Sequence, residues 1–179
     1  MNMKSLDAKR IALVGLFAAL LTGGQLALAA LPNIEVVTLF IILFSLTFGF
    51  NLSILGVLAF CLIEASVFGF HSWVIAYFIY WPTLTFIVSL LNRLGYKKNI
   101  VYIITGVVMT ALFGFLTSLV DTLFAYSSAG VGFFRLFFAI YIRGVWFYVT
   151  HIVSNAFFLS IAFPVLRLVL IKVKAAYFS

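Results

Sequence analysis

Charge is what this chain has least of. Only 8% of its 179 residues are Asp, Glu, Lys or Arg, against about 25% in a soluble domain. That excludes a soluble enzyme or a soluble binding module. Carboxylates are scarcer still: Asp7, Glu35, Glu64 and Asp121 are the whole acidic set. The two histidines, His71 and His151, stand far apart, and no cysteine pair accompanies them, so no metal cluster is expected. Cys61 is the only cysteine and lies inside an apolar run, which excludes a disulfide scaffold and reads as a small core residue. Strand-like alternation of apolar and polar residues is missing, which argues against a barrel. No Walker motif is present, so any ATP chemistry belongs to another chain. No nucleophile-plus-base arrangement stands out, and an enzyme is not expected.

Apolar sequence is abundant, at 66% of residues. The runs are long enough to be membrane helices. The spacing predicts an all-α integral membrane protein forming one domain over 1–179, with six transmembrane helices at about 11–31, 36–48, 52–68, 73–91, 100–124 and 135–170. The second is short for a full span, and Pro82 falls inside the fourth. No cleavable signal peptide is expected, because the first apolar run exceeds a signal core. No internal repeat of the kind found in secondary transporters is evident. The net charge of +7 does not point to nucleic acid, because the basic residues cluster at helix ends rather than along a face.

Those helices place their loops alternately on two sides. Lys4, Lys9, Arg10, Arg93, Lys97, Lys98, Arg167, Lys172 and Lys174 fall on one side, nine of the eleven Lys and Arg residues. The positive-inside rule therefore predicts both termini in the cytoplasm. The Pro32-Asn33-Ile34-Glu35 turn, enforced by a proline that cannot continue the first helix, then faces outward.

Ionisable groups inside hydrocarbon mark function or paired structure. Glu64, Asp121 and Arg143 are the clear cases, and all are expected in the outer half. Arg143 has two readings: an internal ion pair with Asp121 or Glu64, or contact with a polar ligand. Trp73, Tyr77, Tyr80 and Trp81 share one face of the fourth helix by their spacing. Such a face, beside a few charges, suits a flat heteroaromatic ligand, although Trp73 also fits an interfacial belt. His71 belongs to the same level and equally suits a solvated turn. Gln25 and Thr22, and His151 and Asn155, which are expected nearer the inner half, are weaker candidates. At the opposite end of the first helix, Ala8, Ala12, Gly15 and Ala19 recur at steps of four, three and four. That small-residue stripe suits close helix packing, within the bundle or against a partner.

The Ala8-Lys9-Arg10-Ile11-Ala12 segment resembles the Ala-x-x-x-Ala docking motif of the substrate-binding S components of energy-coupling factor (ECF) vitamin transporters. The Leu31-Pro32-Asn33-Ile34-Glu35 turn, the Glu64…Gly69-Phe70 and Trp73…Trp81 stretches, and the topology along nearly the whole chain are similar to the same family. The resemblance implies a multi-pass bacterial cell-membrane protein that binds a vitamin in an outward-facing pocket between helices 4 to 6 and closes it with outer loops. The S component then docks onto a transmembrane coupling subunit (EcfT) powered by two cytoplasmic EcfA-type ATPases, and delivers its substrate by toppling in the membrane. Carried over, docking falls on Ala8, Ala12, Gly15 and Ala19, and the gate on Pro32, Asn33 and Glu35. By depth, the substrate-binding set is Glu64, His71, Tyr77, Trp81, Asp121, Arg143 and Gln25. No cofactor is implied. The preferred substrate is a hydroxymethylpyrimidine- or pyridoxine-like ring, with cobalamin or cobinamide the alternative. A stand-alone carrier or a structural membrane protein is the reading from another class.

Overall fold

The computed structural model describes residues 8–177, so Lys4 and Asp7 of the basic head lie outside the described residues. Six α-helices follow in order: α1 Ala8–Ala27, α2 Val37–Phe48, α3 Phe50–Phe68, α4 Ser72–Arg93, α5 Asn99–Ala125 and α6 Phe133–Tyr177, with a short 3-10 turn at Tyr126–Ser128. Among the described residues there is no strand. All the helices except α2 are long and apolar enough to cross a membrane.

The helices start and stop where local chemistry dictates. α1 ends at Ala27, four residues before the expected end. Leu28 and Ala29 then bond back only three residues, to Gln25 and Leu26, so the chain tightens into turns ahead of Pro32 although Leu28–Leu31 are still apolar. Gly49 and Gly69 follow α2 and α3 with φ of 81° and 78°, a left-handed conformation that costs glycine little and other residues more. α6 continues seven residues past its expected end and spans 45 residues. At 1.5 Å per residue it is roughly 65 Å long, about twice the hydrocarbon thickness of a bilayer.

α2 is the hub. It packs against every other α-helix, and nine of its twelve residues, Val37–Leu39, Ile41–Ser45 and Thr47, are buried. A helix that is apolar all round belongs inside a bundle. Its shortness therefore has a structural reason: it is a core element wrapped by longer helices. Phe44 stacks on Phe17 of α1 with ring centroids 3.8 Å apart. Tyr80, Trp81 and Leu84 of α4 and Leu159 and Phe163 of α6 complete the core, with Cys61 buried among them as expected.

Two polar ends result. At one, Lys174 donates to the Thr47 carbonyl at 2.6 Å, and Arg167 donates to the Lys97 carbonyl at 3.1 Å and to Asn99. The start of α1, the α2–α3 and α4–α5 connections and the tail of α6 meet there, which is the loop partition expected from the charge pattern. At the other end lie the 28–36, 69–71 and 126–132 connections, the first of which lines the cavities described next.

Candidate functional site

The turn between α1 and α2 roofs a cavity of about 290 Å3. Its walls come from Gln25 at the end of α1, Pro32, Asn33 and Glu35 in the turn, and Trp73, Tyr77, Trp81, Phe113 and His151 below. A second chamber of about 370 Å3 shares Asn33, Trp73, Tyr77, Phe113 and His151 with the first. It adds Thr117, Asp121, Gly144, Phe147 and Tyr148. The two chambers therefore adjoin across an aromatic partition, between the 31–35 turn and helices α4, α5 and α6.

The aromatic wall follows from spacing. Positions 73, 77, 80 and 81 project from one face of α4. Trp73 and Tyr77 have centroids 5.2 Å apart at 74°, and Tyr77 and Trp81 lie 5.3 Å apart at 67°. Phe113 of α5 closes the set, 6.1 Å from Tyr77 and 5.3 Å from the His151 ring. The rings meet edge to face, the arrangement their quadrupoles favour.

The floor of the first chamber is a polar relay. Gln25 donates through Nε2 to Glu64 Oε2 at 2.5 Å, while its carbonyl accepts the Tyr77 hydroxyl at 3.5 Å. Glu64 is fully buried behind Gln25, and its Oε1 has no hydrogen-bond partner among the described residues. Trp81 is 2% exposed, and its indole N–H is likewise unpartnered. Buried polar atoms left unpaired are costly and uncommon, so both mark a place where polar chemistry is still on offer. Asp121, in the second chamber, accepts a hydrogen bond from the Ser72 hydroxyl at the start of α4.

Glu35 is the most heavily bonded of the predicted residues. Its carboxylate accepts from the Thr38 backbone N–H at 2.9 Å and the Thr38 hydroxyl at 2.6 Å. It also accepts from Asn155 Nδ2 at 2.6 Å and lies 3.1 Å from His151 Nε2. The Thr38 contact satisfies one of the free N–H groups of the α2 first turn, which Val36 at the cap position cannot do. Burial alone would raise the Glu35 pKa, but the hydrogen bond and charge of His151, with Thr38 and Asn155, hold it below the ordinary carboxylate value. Asn155 also donates to Thr110 at 3.0 Å, and Ser154 donates to the Asn33 carbonyl at 3.1 Å. The turn is thus clasped to α2, α5 and α6.

The predicted set divides. Gln25, Tyr77, Trp81, Asp121, Pro32, Asn33 and Glu35 line the chambers, with Glu64 one residue behind. His71 sits exposed in the 69–71 turn and lines neither chamber. Arg143 is also exposed and forms no ion pair with Asp121 or Glu64. The inward stripe of α6 runs through 137, 141, 144, 148, 151, 155, 159 and 163, and position 143 falls about 100° away from it. His151 and Asn155 lie on that stripe and, although expected nearer the inner half, meet Glu35 beneath the roof. Ala8, Ala12, Gly15 and Ala19 are all exposed, and a Cβ added at Gly15 would meet nothing within 4 Å, so no helix of this chain covers that stripe.

The sequence left Phe113 and Tyr148 unmarked. Tyr148 shares a hydrogen bond of 2.7 Å with Ser118, and its ring lies against Gly114 and Gly144. A Cβ at Gly114 would come within 2.5 Å of the ring, and one at Gly144 within 2.3 Å of the hydroxyl. Two glycines at that approach are the signal that could have located it. Among the described residues, no group of three His, Cys, Asp or Glu side chains comes together to hold a metal. The arrangement suits binding: aromatic walls, a few buried polar atoms and a roof. Compared with family models, with characterised proteins and with solved structures, the chain gives no match.

Proposed function

We propose that this chain is the membrane-embedded substrate-binding subunit of an ATP-driven vitamin importer of the ECF type. The observation that carries the reading is the paired cavity beneath the 31–35 turn, lined by Trp73, Tyr77, Trp81 and Phe113. Its size falls within the range of small-molecule sites. A B-type vitamin or precursor built on a small heteroaromatic ring would lie against the rings and bond at its edges to Gln25, Trp81 and Asp121. A corrinoid would require the roof to move aside. Large apolar side chains exposed along α5 and α6, such as Ile104, Val108, Leu112, Trp146 and Val153, support a lipid-facing surface. The basic residues at the opposite end support cytoplasmic termini and a cavity that opens outward. The uncovered Ala8, Ala12, Gly15 and Ala19 stripe supports docking onto a coupling subunit, with separate ATPases supplying the energy.

Two measurements test this. Mass spectrometry of small molecules released from the purified protein, with thermal unfolding against a panel of B vitamins and precursors, is expected to identify one stabilising ligand. Ala12→Leu with Gly15→Leu is expected to leave that binding intact and abolish co-purification with the coupling subunit and ATPases. Absence of any stabilising small molecule, together with undiminished co-purification, overturns the proposal.

A further inference from the structure

We infer that the ligand of the paired cavity is an organic cation, a flat ring carrying a positive charge, held between the aromatic wall and uncompensated carboxylates. This rests on the binding role just proposed and names the class of ligand.

The argument begins with charge. The three carboxylates within the described residues, Glu35, Glu64 and Asp121, all lie at the cavity end. Glu35 is met by the His151 ring at 3.1 Å and is fully bonded. The other two have no counter-ion. Glu64 rests on a neutral amide, Gln25, with its second oxygen unpartnered and fully buried. Asp121 rests on a neutral hydroxyl, Ser72, at the wall of the second chamber. Arg135 and Arg143 of α6 are exposed and line neither chamber. Among the described residues, His151–Glu35 is the only ion pair. A buried carboxyl without a counter-charge is costly to ionise, so Glu64, behind Gln25, acts at one remove, and Asp121, half-exposed on the second chamber, is the carboxylate that a ligand reaches directly. An anionic ligand would find only His151, which Glu35 already occupies.

The second observation is the shape of the aromatic wall. Trp73, Tyr77 and Phe113 border both chambers, and Trp81 the first. Trp73 and Trp81 stand at 74° and 67° to the Tyr77 plane, and Phe113 lies at 24° to Trp81, so the wall turns ring faces toward the chambers at several angles. An electron-rich face bordering a chamber attracts a cation placed over it, most strongly where water is excluded. The third observation is the unpartnered Trp81 N–H, 2% exposed and on the first chamber. It fits an acceptor on the same ring, such as a hydroxyl or an uncharged ring nitrogen. Tyr77 and Tyr148 add hydroxyls, not charge.

The test uses one ring in three charge states: 1-methylnicotinamide (cation), nicotinamide (neutral) and nicotinate (anion), titrated against the purified full chain in lipid nanodiscs. The cation is expected to bind at least about tenfold tighter than the neutral ring, a factor equivalent to about 1.4 kcal/mol, and the anion weakest. Asp121→Asn, and to a lesser degree Glu64→Gln, both conservative in shape, are expected to shrink the ratio of cation to nicotinamide affinity. Equal or reversed ranking, a preference that survives both substitutions, or no response to any of the three at millimolar concentration overturns the inference. Discovery of a neutral or anionic vitamin as the co-purifying ligand also overturns it, while leaving the transporter reading in place.

Discussion

The two ends of this bundle solve the same problem with opposite materials. At the basic end, Lys174, Arg167 and Arg93 are long, exposed or half-exposed side chains. Lys174 and Arg167 donate to main-chain carbonyls, and the Arg167 guanidinium also lies 5.7 Å over the Tyr102 ring. A cleft of about 280 Å3 between Arg10, Phe48, Asn51, Leu52 and Lys174 opens there. At the cavity end, the polar groups are short, few and buried or half-buried, and they bond largely side chain to side chain: Glu35 to His151 and Asn155, Gln25 to Glu64, Ser72 to Asp121. Exposed contacts contribute little because water competes for them. Buried ones are costly to break, because each leaves a partner stranded. The lesson is that the contacts costliest to break concentrate at the cavity end, while charge count concentrates at the other.

The sharpest way to break that contrast is Glu35→Ala. It strands the Thr38 N–H, Asn155 and His151 at once, and is expected to cost about 3–5 kcal/mol, read from unfolding in detergent; a loss no larger than that of a surface lysine would erase the distinction. Acid probes the same clasp without mutation. The Glu35 pKa is held below its ordinary value of 4.5, so its stabilisation is complete above that pH and fades as pH falls through the lowered value. A melting temperature that already drops between pH 7 and 5 in wild type, but not in Glu35→Gln, would contradict this.

Next comes Gly114→Ala. Its methyl would press on the Tyr148 ring at 2.5 Å, and displacement of a packed aromatic is expected to cost about 1–3 kcal/mol, with weaker binding in the second chamber. Lys174→Ala follows. It removes the donor to Thr47 at the end of α2, and is expected to cost about 0.3–1 kcal/mol, less at high salt. Smallest is Arg143→Ala, expected within about 0.5 kcal/mol because the side chain is exposed; a larger loss of stability or of ligand affinity would restore it to the site.

Much of the fold was legible. Apolar runs bounded by Pro32, Gly49, Gly69 and the Arg93–Asn99 segment place the helices within a few residues. The largest misses fall where composition gives no boundary: Leu28–Leu31, apolar but turned, and the Lys172–Tyr177 tail, polar but helical. That α2 is short was visible; that it is the hub was not, because centrality depends on which helices surround it. The site was legible along the helix axes and less so around them. Gln25, Tyr77, Trp81 and Asp121 meet because depth alone suffices for them. Arg143 fails because depth says nothing about azimuth. His151 and Asn155 were underrated on depth itself: expected nearer the inner half, they lie against Glu35 at the cavity end.

The clasp on Glu35 bears on time as well as stability. The roof is not uniform: Glu35 is pinned, and the Asn33 carbonyl is held by Ser154, while Ala29 to Pro32 are exposed and Asn33 takes a left-handed φ of 60°. If the first chamber holds a ligand as proposed, the Ala29–Pro32 half is the part of the roof least tied to the helices, and lifting it about a fixed post would open the shortest way out. The dwell time of such a ligand would then depend on that short flap. Substitutions at Leu31 or Pro32 would change the rates of arrival and departure together, with the equilibrium between them left to the rings and carboxylates below.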